Sequence, residues 1–146
     1  MQAGPAVRQK GAAALEFVFV FMIFFSVFYG LVSYTLPMLM LQSFNQASSE
    51  AVRRCVAIDP NSANYAADVE TLAHEVIRQQ LSWMPTALGF QANDAQVSIG
   101  PDKLLKVTIS YPKTKLTNVL PLLRLPLIGE VPRLPETLQA EASLQL

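Results

Sequence analysis

The sequence predicts an α+β fold: a long N-terminal transmembrane and stalk helix, a second amphipathic helix, and a small antiparallel sheet of about three strands. Three observations predict it. Phe17 to Leu41 is an unbroken apolar run, apolar positions then recur at helical spacing as far as Met84, and three later segments alternate apolar and polar residues one by one.

The apolar run holds 25 of the 146 residues. At about 1.5 Å per residue it makes a helix roughly 37 Å long, enough to cross a bilayer core of about 30 Å with some tilt. The hydroxyls of Ser26, Ser33, Tyr34 and Thr35 can bond back into that helix or to a neighbouring one. A secretory signal peptide has a shorter apolar region, about 7–15 residues, that ends at a small-x-small site. Leu41-Gln42-Ser43-Phe44-Asn45 offers no such site, so the segment is expected to stay in the mature chain. Arg8 and Lys10 precede it, and the positive-inside rule then puts the N-terminus in the cytoplasm and the remainder outside. The pair Arg53-Arg54 on the opposite flank works against that orientation.

The helix need not stop at Leu41. No glycine or proline interrupts Gln42–Ile58, and Leu41, Phe44, Ser48, Ala51, Val52 and Cys55 recur at helical spacing. Asp59-Pro60-Asn61 ends it, because proline disfavours helix in the residue before it. Pro37 lies inside the span, has no amide proton to bond back, and is expected to kink it. A second helix starts near Asn61–Asn64, all residue types suited to an N-cap. Its apolar face is Tyr65, Val69, Leu72, Ala73, Val76, Ile77, Leu81 and Met84, its wet side carries Asp68, Glu70, Glu75 and Arg78, and Pro85 stops it.

Strands follow. Ala95, Val97 and Ile99 alternate with Gln96 and Ser98, and Gly100-Pro101-Asp102 makes a turn. Leu105, Val107, Ile109 and Tyr111 alternate with Lys106, Thr108 and Ser110, and Leu138 to Leu146 repeats the pattern. Period-two alternation means one buried face and one wet face, as in an antiparallel sheet packed on a helix. Between the last two strands, Lys113–Glu136 is about twice the length at which loops become uncommon. Pro112, Pro121, Pro126, Pro132 and Pro135 stand at or within its borders, yet it holds Leu120, Leu122, Leu123, Leu125, Leu127 and Ile128. So much leucine in a loop implies that it either folds back over the sheet or offers a surface to a partner or to the outer face of the membrane.

Length and charge exclude much. What remains beyond the apolar run makes one small domain. Eleven basic and eleven acidic residues cancel, and without Arg8 and Lys10 nine would face eleven, a formal −2. No basic domain for nucleic acid is present. His74 lies in His-Glu-Val-Ile-Arg, where a zinc protease motif needs a second histidine at Arg78, so it is read as part of the solvated helix face beside Glu70 and Arg78. No nucleophile–base–acid set and no phosphate-cradling glycine loop appear. No catalytic residue, cofactor or metal is expected. The single cysteine, Cys55, excludes an intrachain disulfide. It is either a small apolar residue on the helix seam or, outside the membrane, a link between two copies. Ser26 and Gly30 form a small-xxx-small pair of the kind that lets membrane helices approach closely.

The residue with most chemical content is Glu16, a carboxylate at the mouth of the apolar run. Such acids are rare in spans because a charge there is costly, about 2.5–3.5 kcal/mol at the centre and less near an end. It stands five residues after Gly11, in Gly11-Ala12-Ala13-Ala14-Leu15-Glu16-Phe17, behind a short basic leader. This spacing resembles the processing site of type IV prepilins. Over Gly11–Asp59 the chain more narrowly resembles the TadE-like (TadE/TadF-type) minor pseudopilins of the tight-adherence (Flp-type) pilus system.

That resemblance implies a prepilin peptidase as processing partner, cutting between Gly11 and Ala12, with the remaining chain acting as a low-abundance pilus subunit or as a priming, tip or base component. Cleavage would free an α-amine on Ala12, positive below a pKa of about 8, one helical turn from Glu16. Pairing the two, within a chain or between neighbours, removes two lone charges from a low-dielectric bundle and fixes its register. The Glu16-Phe17 pair differs from the Glu-Tyr of major Flp pilins, which favours a minor component. The implied domains are a leader over 1–11, a transmembrane and stalk helix over 12–58, and a periplasmic helix-plus-sheet domain over 59–146. The implied place is the bacterial inner membrane, with other pilins and the inner-membrane assembly platform as partners, and incorporation into a pilus. Competing readings are a type II secretion pseudopilin, an unprocessed single-span scaffold or sensor, and a periplasmic ligand-binding domain using Val119–Ile128.

Overall fold

The computed structural model describes residues 8–121, 123–125 and 129–145. Helix α1 runs from Arg8 to Cys55, 48 residues, and stays one helix through Pro37. Beyond it Ala57 N–H bonds to Arg54 O at 3.1 Å and Ile58 N–H to Cys55 O at 3.2 Å. These tighter i→i+3 bonds end the expected stalk three residues early and turn the chain ahead of Pro60.

Helix α2 spans Tyr65–Gln80 and buries Val69, Ala73, Val76 and Ile77. Asn64 occupies its N-cap position, but the side chain makes no cap hydrogen bond. The entry is ordered instead by the Asp59 carboxylate, which accepts from Asn61 N–H at 2.9 Å, and by Ser62 Oγ, which donates to Asp68 at 2.8 Å. At the other end the regular helix stops before the expected Pro85. Leu81 N–H still reaches Ile77 O at 2.9 Å, and Met84 N–H closes a turn on Leu81 O at 3.0 Å. Leu81 is buried even so, and the apolar stripe outlasts the helix.

Strands β1 (Ala95–Ile99), β2 (Leu104–Pro112) and β5 (Thr137–Gln145) form an antiparallel sheet in the order β1-β2-β5. Its register sets Val97 against Val107, and Ile109 between Ala95 and Ala140. Leu105, Val107, Ile109 and Tyr111 of the central strand have no exposed surface, because α1 and α2 cover that face. At the far end the cover runs out, leaving Ile99 and Leu144 exposed.

The core lies where α1 crosses both α2 and the sheet. Met40, Phe44, Ala47, Ala51, Val52 and Cys55 of α1 meet the buried faces of α2, β2 and β5. The Phe44 ring sits 5.9 Å from that of Tyr111 and 5.8 Å from that of Phe90. Burying a side chain of that size contributes about 1.5–3 kcal/mol.

The 113–136 connection is structured. Helix α3 (Lys113–Thr117) leads to a two-stranded hairpin of β3 (Leu123–Leu125) and β4 (Gly129–Val131). Lys113 N–H bonds to Glu136 O at 2.8 Å and closes its neck. Leu116 is buried, and Leu120 and Leu134 pack on the core from its rim. It folds back against α1, through Pro121 and Arg133.

Candidate functional site on the N-terminal helix

From Gly11 to Phe28 every residue of α1 is exposed, on every side of the helix. A helix that is apolar and exposed all round needs lipid or other helices around it. Among the described residues, the ring contacts of this stretch run from one turn of the helix to the next. Phe17, Phe21 and Phe25 stack one turn apart with ring centroids at 6.1 Å, and Phe24 stacks on Phe28 at 6.2 Å. Ser26 Oγ donates to Met22 O at 2.7 Å and Thr35 Oγ1 to Leu31 O at 2.8 Å, so these hydroxyls are satisfied inside the helix.

Gly11, Ala12, Glu16 and Phe17 all lie on this free part of α1. Ala12 and Glu16 are one turn apart on one face, and Glu16 is exposed. A side chain added at Gly11 or Gly30 would meet no atom within 4 Å. The surface around Ser26 and Gly30 is therefore open to an approaching helix, with no partner among the described residues.

From Ser33 the helix changes character. Ser33, Pro37, Met40 and Phe44 are buried one turn after another as the domain closes on α1. On the wet side of the core-bearing stretch, Glu50 binds Arg54 at 2.8 Å and Arg53 at 2.9 Å. The Arg54 hydrogen bond, with Arg53 beside it, holds the Glu50 carboxyl below the usual carboxylate range. The arginine pair on this flank is thus balanced by an acid one turn away.

Cys55 lies inside the core with no exposed surface, its thiol 3.5 Å from Val69 O, and burial pushes the thiol's pKa up. A link between two copies needs that sulfur at the surface. In this structure the side chain lies in the α1–α2 seam, the other of the two readings.

Two contacts within the span were not readable from local pattern. The Tyr29 hydroxyl donates to Pro121 O, 92 positions along the chain. Arg133 N–H donates to the Tyr34 hydroxyl at 2.9 Å, a separation of 99. They fasten the leucine-rich connection to the outer part of α1. Of its apolar residues, Leu120 is half-buried on the core, whereas Val119 and Leu123 are 43% and 40% exposed. Leu122, Leu127 and Ile128 lie outside the described residues, as does the side chain of Leu125. Nothing in the local pattern of the sequence pairs these tyrosines with residues 121 and 133.

Elsewhere, a groove of about 800 Å³ opens between α2 and the segment 82–95, lined in part by His74, Ile77, Met84 and Phe90. It shares no lining residue with Val119–Ile128. His74 Nε2 is 3.9 Å from Glu70, while Arg78 turns to Glu75 at 2.7 Å.

Residues 11–53 match the TadE-like protein family. The matched stretch begins at Gly11 and takes in the free part of α1, the tyrosine-bearing turn and most of the stalk. It is less than a third of the chain, and the sheet domain lies beyond it. No curated protein and no solved structure matches significantly. The matched helix is long and apolar enough to cross a membrane.

Proposed function

We propose that this chain is a minor pseudopilin that acts in assembly of a tight-adherence type IV pilus, at priming, tip or base, after a prepilin peptidase cuts between Gly11 and Ala12. The observation that carries the reading is the matched helix itself: residues 11–28 are almost wholly apolar, are exposed on every side of the helix, and fall within the family match. Such a surface is satisfied first by lipid and then, once the subunit is extracted, by the helices of neighbouring subunits.

In that setting Glu16 does the registering. With residues 1–11 removed, the Ala12 amine lies one turn from the carboxylate, and pairing across neighbours places each subunit at a fixed height. Ser26 and Gly30 provide the close approach, and the phenylalanine ladder provides the bulk of the contact. The chain works by assembly, not catalysis, with the inner-membrane platform and other pilins as partners and the sheet domain on the periplasmic side.

The test is complementation of a strain lacking this chain, with Glu16→Ala and with wild type. The reading expects normal membrane levels of Glu16→Ala and loss of most surface pili. Pili at wild-type number with Glu16→Ala would contradict it and favour a permanently anchored scaffold.

A further inference from the structure

We infer that the connection between β2 and β5 is itself a membrane element: the face formed by Val119, Pro121 and Leu123 beds into the outer leaflet of the bilayer that α1 crosses. The inference rests on α1 being a membrane span and goes beyond it by assigning a second contact with lipid.

The depth follows from the helix. A hydrocarbon core of about 30 Å takes about 20 helical residues. Counted from Phe17, the first residue after the acid, those end at Leu36; counted from Ala12 they end at Leu31. Tilt only carries the core further along the chain. On either count Tyr29 is inside the hydrocarbon, and its hydroxyl donates to Pro121 O. Tyr34, bonded to Arg133 N–H at 2.9 Å, lies about one and a half turns further out. The connection is thereby fixed between the outer hydrocarbon and the headgroups.

Three further features suit that place. First, α1 at this level still presents apolar side chains away from the domain: Leu31 is 67% exposed and Met38 70%. Lifting the domain clear of the bilayer would put these in water. Second, irregular backbone at membrane depth survives only if its polar groups are bonded. Here Pro121 brings no N–H and its carbonyl is taken by Tyr29, Leu120 N–H bonds to Leu116 O at 2.9 Å, and β3 pairs with β4. Third, the charges are matched. Residues 116–129 contain no acid and one base, Arg124. Arg124 stands opposite Glu130 in the ladder, Glu130 also meets Lys113 at 3.4 Å, and the long side chain of Arg124 can reach towards the headgroups.

The experiment is tryptophan-depth quenching on the full chain in phospholipid vesicles. Trp83 is the only tryptophan, so Trp83→Phe gives a dark background. Into it go Leu123→Trp and, as a second reporter of the same face, Val119→Trp. Phe21→Trp reports the span and Ile99→Trp the far end of the sheet. Nitroxides on the lipid acyl chains are expected to quench Phe21→Trp, Leu123→Trp and Val119→Trp several-fold more than Ile99→Trp, with iodide showing the reverse order. Quenching of Phe21→Trp alone, with both connection reporters open to iodide, would overturn the inference and leave the span intact. Connection reporters shielded from lipid and iodide alike would also overturn it and point to a protein partner or a second copy. Loss of quenching at Phe21→Trp would remove the span on which the inference rests.

Discussion

The Tyr34 hydroxyl, inside the apolar run of α1, accepts a hydrogen bond at 2.9 Å from the backbone N–H of Arg133. One bond thus ties the last connection of the sheet domain to the helix that anchors it. Tyr34→Phe keeps the ring and removes the acceptor, so about 0.5–1.5 kcal/mol of local stability should go with it. Hydrogen exchange on the full chain in micelles should show faster exchange at Arg133, with the amides of β2 unchanged. Unaltered protection at Arg133 would show that the bond carries no load.

Tyr111 gives a pH signature. It is buried, its hydroxyl donates to Leu88 O at 2.5 Å, and its pKa is pushed up to about 12, first by burial and then by the Asp94 charge. A raised folded value favours the neutral phenol. Its stability contribution is therefore whole below about pH 10, where an unfolded tyrosine ionises, and is lost as pH rises towards about 12. Urea unfolding from pH 9 to 12 should fall more steeply for wild type than for Tyr111→Phe. Parallel curves would refute the assignment.

Asp94 and Lys115 form the best-shielded ion pair among the described residues, with Nζ at 2.7 Å from the carboxylate and side chains 10% and 25% exposed. Asp94 also accepts from Gln91 N–H at 2.8 Å, and Lys115 lies 5.8 Å from the centre of the Tyr111 ring. One carboxylate thus holds both the turn before β1 and the helix after β2. Asp94→Ala should cost about 2 kcal/mol, between the values for exposed and buried pairs. Lys115→Met should cost less, since Asp94 keeps its backbone donor. Equal losses in thermal melts would mean the turn contact contributes nothing.

Most of the fold was legible because each element solves its burial problem locally. The alternation of Leu105, Val107, Ile109 and Tyr111 is the buried face of β2, and the stripe from Val69 to Ile77 is the buried face of α2. What stayed hidden depends on distance along the chain. Tyr29 and Tyr34 could not be assigned to residues 121 and 133, and nothing local pairs Asp94 with Lys115. The hairpin was invisible because Leu123–Leu125 is three residues long and alternation needs more to show. The same holds for the choice between seam and surface at Cys55, which depends on which side of α1 receives α2. Glu16 lies exposed on the free part of α1, where spacing from Gly11 and the family match point to it and local burial does not.

Cys55 offers a direct check on the packing. Buried against Val69 with a raised thiol pKa, it should react with maleimide far more slowly than a free thiol at neutral pH, and at full speed in denaturant. Cys55→Ala should cost about 1 kcal/mol for the cavity left behind, and non-reducing gels should show monomer for wild type. Rapid labelling of the folded chain, or a disulfide-linked dimer, would contradict the seam.

The central claim is processing at Gly11, and the direct measurement is the intact mass and N-terminal sequence of the membrane-extracted chain from cells with an active prepilin peptidase. A chain beginning at Ala12, and an uncut chain from the same cells when Gly11→Leu is expressed, is the predicted result. A wild-type chain that still begins at Met1 would contradict it and leave a single-span anchored protein.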